Sequence, residues 1–109
     1  MKYRHYQLQI NDVTDQQQTP TQISTADQNR LSFHAVSHDD VLALVSRLQQ
    51  TGLFDAETSA TMMVSLKLLG EIVIQQRSHP LFSEFYPHFN QFMRQFKAQV
   101  QQQSLSNTA

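Results

Sequence analysis

Residues 3–10 alternate between apolar and polar. Tyr6, Leu8 and Ile10 share one side, and His5, Gln7 and Gln9 share the other. A period of two with one polar side predicts a half-buried β-strand. Residues 30–36 alternate again, with Leu31, Phe33 and Ala35 on the apolar side. Two such strands predict an antiparallel, hairpin-like pair whose apolar face lies on helices. Between them, residues 11–29 are mostly Asn, Asp, Thr, Gln and Ser around Pro20, which is loop composition. A loop this long is uncommon in a compact domain, so a short edge strand at Gln22-Ile23-Ser24 is an open alternative.

The period then lengthens. Ser37-His38-Asp39-Asp40 reads as a helix start, with Ser37 as the N-cap and Asp40 three positions on, a capping box with a shortened acid. Val41, Leu42, Leu44, Val45 and Leu48 make a helical stripe, and Gly52 stops it. Asp55 caps the next predicted helix, residues 56–77. Its Ala60, Met63, Val64, Leu66, Leu68, Leu69, Ile72, Val73 and Ile74 cover almost the whole circumference. A helix apolar all round is expected to be largely buried.

His79-Pro80 ends it, because the residue before proline is pushed out of the α region. Residues 81–86 read as a short helical turn. Pro87 is placed as the first residue of a final helix bearing Phe89, Phe92, Phe96 and Val100, with Phe85 just ahead and Met93 beside them. From residue 101 the chain is Gln, Ser, Asn and Thr, a composition that predicts a disordered tail over 101–109. The expected fold is α+β: one domain over residues 1–100 with the order β-β-α-α-α.

Composition narrows function mainly by exclusion. At 109 residues, the chain is long enough to bury roughly two-thirds of its unfolded surface without a metal or disulfide. A net charge of −1 gives no long-range field for nucleic acid or an anionic membrane. Cysteine is absent, which removes disulfides, thiolate nucleophiles and zinc sites built on Cys. No apolar run approaches the roughly 18 residues of a membrane span, and the start of the chain lacks a signal-peptide core. These features point to the cytoplasm and predict no cofactor.

Four segments together are recognisable: Ser37-His38-Asp39-Asp40, Gly52-Leu53-Phe54-Asp55, Leu66-Lys67-Leu68-Leu69-Gly70-Glu71 and Arg77-Ser78-His79-Pro80-Leu81-Phe82. With this spacing, residues 1–97 resemble a family of small bacterial proteins catalogued as domain of unknown function 3861. The resemblance implies a stand-alone cytoplasmic bacterial protein and brings no activity, ligand or catalytic residue.

The candidate chemistry is sparse. Lys67 and Glu71 stand four apart on the apolar helix, on a narrow polar stripe with Gln75. They read either as an i,i+4 ion pair or as a partly buried anchor for a partner or anion. Gly70 costs roughly 1 kcal/mol in mid-helix, which predicts close approach of another helix, inside the domain or across a dimer axis. Arg77 and His79 read as cations near a helix C-terminus, or alternatively as a base with an anion clamp. His5 and His34 fall on the outer face of the strand pair, too few for a closed metal site. Adjacent Ser37, His38 and Asp39 do not make a triad, which is a matter of geometry. Lys2, Arg4 and Arg30 near the strands are a weak nucleic-acid signal.

The expected function is therefore a non-enzymatic protein-interaction module, binding another protein or a second copy of itself. The alternative is a binder of a small anionic ligand, or a minor enzyme, using Lys67, Glu71, Arg77 and His79.

Overall fold

Strands β1 (Arg4–Asn11) and β2 (Arg30–Ser37) pair antiparallel, with Tyr6 opposite Ala35, Leu8 opposite Phe33 and Ile10 opposite Leu31. This is a computed structural model describing residues 2–14 and 29–107. The Gln22-Ile23-Ser24 edge strand lies outside the described residues. Directly paired residues share a face, so the register unites the two predicted apolar sides on one side of the ribbon.

Helices α1 (Val41–Thr51), α2 (Ala56–Gln75), the short α3 (Pro80–Ser83) and α4 (Phe85–Asn107) follow. The α+β order is the one the periodicities predict. Helix α1 packs along α2, α4 crosses both, and β2 touches α2. The core centres on Leu48, Met63 and Phe96, one residue from each long helix.

The caps show which local signals won. Gly52 closes α1 with φ 74°, a left-handed conformation that favours glycine. Asp55 caps α2 by accepting from Thr58 N at 2.7 Å. Hydrogen bonds from the Thr58 side chain and backbone hold the Asp55 carboxyl below its ordinary 3.8. The N-cap of α1 is Asp40, which accepts from Ala43 N at 3.2 Å. The predicted Ser37 cap is displaced because Ser37 still belongs to β2. Pro87 is the third residue of α4, not the first, where an amide N–H would still lack a helical acceptor.

Two further expectations meet a different outcome. Helix α2 buries Met63, Gly70, Glu71 and Val73, but Leu69, Ile72 and Ile74 remain exposed. Helices α1 and α4 cover one side of α2, and the ribbon meets the helices without wrapping the other. Helix α4 runs on to Asn107, through most of the stretch that composition assigned to a tail. Glutamine is a fair helix former, and Val100, packed against the core cluster, anchors the helix just ahead of that stretch.

The radius of gyration is 17.0 Å, against about 13 Å for a compact domain of this length. The extents of 47 × 42 × 26 Å describe a flat, open arrangement.

Candidate functional site

The polar turn between β2 and α1, residues 37–40, is where ribbon and helices are tied together. From β1, the Tyr6 hydroxyl donates to Asp39 O at 2.8 Å and accepts from Val41 N at 2.9 Å. The Tyr3 ring lies 4.6 Å from the His38 ring, centroid to centroid. Arg4 reaches Asp40 at 3.8 Å. From α2, Lys67 Nζ pairs with Asp39 at 3.0 Å. Glu71 Oε1 takes both the backbone N–H of His38 at 3.2 Å and its ring Nδ1 at 2.6 Å. An ionised carboxylate only accepts, so Nδ1–H is the donor.

Lys67 and Glu71 thus do not face one another as the i,i+4 pair their spacing predicts. Each reaches across to a different residue of the turn. Glu71 is 8% exposed and also accepts from Gln75 at 3.4 Å. Nothing in the period of the helix reveals the partners. The available signal was an acid within the apolar middle of α2, since a buried carboxylate requires donors.

Gly70 faces α4. A β-carbon there would lie 3.2 Å from Phe89 Cζ, so the glycine serves close packing within the chain. Of the phenylalanine stripe, Phe89 and Phe96 are buried while Phe85 and Phe92 are exposed. Lys67, Gly70, Glu71 and Phe89 line one cleft of about 210 Å³ beside the turn. Arg77 and His79 do not join it. Arg77 donates to Ile74 O at 3.0 Å, closing the end of α2, and His79 Nδ1 accepts from Leu81 N at 3.1 Å, capping α3.

Residues 37–39 serve three separate contacts. Ser37 is buried and accepts from Asp39 N, His38 turns to Glu71, and Asp39 holds Lys67. A nucleophile–base–acid relay is not assembled there. Arg4 and Arg30 do not cluster either. The register sets them at opposite ends of the ribbon, about 23 Å apart at the usual strand rise. His5 and His34 are diagonal on the outer face, with rings stacked at 5.0 Å and nitrogens 2.9 Å apart. Among the described residues no group of three or more His, Asp or Glu could hold a metal ion. Among those residues, too, no helix is long and apolar enough to cross a membrane.

Tyr6→Phe tests the clamp on the turn. It leaves the Val41 N–H, on a residue only 4% exposed, without its acceptor. The expected loss is about 1–2 kcal/mol by urea denaturation; a value near zero would mean that the hydroxyl does not tie the ribbon down.

The inner face of the ribbon is the other notable surface. Tyr6, Leu8, Ile10, Leu31, Phe33 and Ala35 share it, and none is charged. Ile10 and Leu31 are each 55% exposed and Phe33 is 36% exposed. Among the described residues, no helix covers the end of the ribbon farthest from the turn.

These features define a class: a small α+β domain whose antiparallel ribbon is pinned by a polar turn to a three-helix core. The chain belongs to the family described as Domain of Unknown Function with solved-structure structure (DUF3861), whose sequence model matches residues 4–98. The crystal structure of a protein of unknown function from Pectobacterium atrosepticum is similar at 32% identity and a TM-score of 0.70, covering 89% of this chain and 99% of that one. No curated protein matches the chain.

Proposed function

We propose that the protein is a non-catalytic interaction module that works as a homodimer, with the apolar face of the ribbon covered by a second copy. The exposed Ile10, Leu31 and Phe33, together on the apolar face of the ribbon, carry this reading. A two-stranded ribbon is marginal alone and gains by adding a partner surface. A two-fold interface places the same patch on both copies. A patch with no charged residue can therefore meet itself without like-charge repulsion, and a net charge of −1 adds little between copies. The lack of cysteine supports a cytoplasmic setting.

A site for an anionic ligand at Lys67, Glu71, Arg77 and His79 has less support. All four are already engaged within the fold, and the last two lie away from the cleft.

Sedimentation equilibrium across a concentration series tests the dimer. The expected result is a monomer–dimer equilibrium that Leu31→Lys shifts by at least about tenfold toward monomer, or about 1.4 kcal/mol, with helical circular dichroism unchanged. A wild-type protein that stays monomeric at high micromolar concentration would overturn it, as would a Leu31→Lys variant that dimerises like the wild type.

A further inference from the structure

We infer that the groove between α1, α2 and α4 is a binding site for a small amphipathic anion, an acyl tail ending in a carboxylate. The groove has a volume of about 270 Å³, a little below the roughly 300–1,000 Å³ of drug-sized ligand pockets. Leu48, Met63, Met93 and Phe96 form its apolar floor, and Arg47 and Lys97 stand on its lining.

Methionines make an adaptable surface for a flexible tail. The charge on the lining is of one sign. Arg47, Lys67 and Lys97 contribute to it, and no Asp or Glu among the described residues does. Lys67 is committed to Asp39 at 3.0 Å. Arg47 and Lys97 have neither ion-pair nor hydrogen-bond partners among the described residues. Arg47 sits on α1 and Lys97 on α4, so the two cations approach the groove from different helices.

A chain with net charge −1 places three of its 8 basic residues around one apolar groove. An apolar floor bordered by Arg47 and Lys97, neither with a partner among the described residues, complements a molecule with an apolar tail and an anionic head. A neutral lipid would leave the cations unused, and a cationic amphiphile would be repelled. The site is separate from the ribbon face, since none of the sheet residues lines it, so it stands whether or not the protein dimerises.

Decanoate below its micellar concentration is the probe, compared with decanol and decyltrimethylammonium. Binding is followed by the NMR signals of the Met63 and Met93 methyl groups and by calorimetry. Decanoate is expected to shift both methyls in a saturable way and to bind more tightly than either analogue. Arg47→Gln/Lys97→Gln is expected to weaken it by roughly tenfold, about 1.4 kcal/mol, with an unchanged urea midpoint. Should the double variant lose stability, each single variant supplies the same comparison.

Equal affinity for decanol would overturn the anion site, and so would unchanged decanoate binding in the variants. Shifts confined to the ribbon face around Leu31 and Phe33, or no saturable shift at all, would overturn the groove itself.

Discussion

Glu71→Ala is expected to destabilise the protein by about 2–3 kcal/mol, whereas Lys67→Ala costs under about 1 kcal/mol. The difference follows from burial. Glu71 is 8% exposed and serves two donors of His38. Removing a buried acceptor leaves its donors unpaired, at about 1–3 kcal/mol. The larger 3–5 kcal/mol of a fully buried ion pair does not apply, because the His38 side chain is 34% exposed and regains water. The Lys67 side chain is 17% exposed, but its partner Asp39 is 49% exposed, so water screens the pair and its contribution stays at about 0–1 kcal/mol. Urea denaturation of the single and double variants measures both. The coupling energy between His38→Ala and Glu71→Ala should exceed that between Lys67→Ala and Glu71→Ala. Equal losses from the two single variants would sink the cross-element assignment and restore the simple i,i+4 pair.

Phe89→Ala is expected to cost about 3–5 kcal/mol, the usual loss for a buried phenylalanine, and Gly70→Leu about 1–3 kcal/mol through overpacking. The two positions are one packing unit. Phe89 is 6% exposed, and its ring lies 3.2–3.3 Å from where a β-carbon at position 70 would sit. Removing glycine from the helix returns roughly 1 kcal/mol of propensity, which offsets part of the clash but cannot make room for a leucine. In Gly70→Leu/Phe89→Ala the new side chain enters the space the ring has left. The double variant should therefore lose less than the sum of the single losses, by about 0.5–3 kcal/mol. Strict additivity, or a Gly70→Leu protein of full stability that has only changed oligomeric state, would place the close approach between copies instead.

The local pattern carried most of the fold. Alternation at Tyr6, Leu8 and Ile10 and at Leu31, Phe33 and Ala35 is enough to predict two strands with facing apolar sides, because side chains on a strand alternate by geometry. Asp55 and Gly52 announced helix ends because caps act over three or four residues. Misplacing the α1 cap at Ser37 shows the limit of that reasoning. Ser37 and Asp40 are both acceptable caps, and the pairing of Ser37 with Arg4 across the ribbon decided between them.

The site was less legible. Lys67, Gly70 and Glu71 stood out because a charge or a glycine on an apolar helix needs a reason. Their partners Asp39, His38 and Phe89 lie 28, 33 and 19 positions away in the chain, beyond any periodicity. Arg77 and His79 looked like members of the same group but turn to their own neighbours, as residues at helix ends commonly do.

By itself, then, the sequence determined the α+β class, the order of the elements and the residues that needed explaining, since these depend on interactions within a few residues. Only the tertiary structure decided that Lys67 and Glu71 part to separate contacts, that Gly70 receives Phe89, and that among the described residues one side of α2 and the far end of the ribbon stay open. A periodic pattern says which side of an element is apolar. It does not say which other element, if any, arrives to cover that side, because the contact joins segments far apart in the chain.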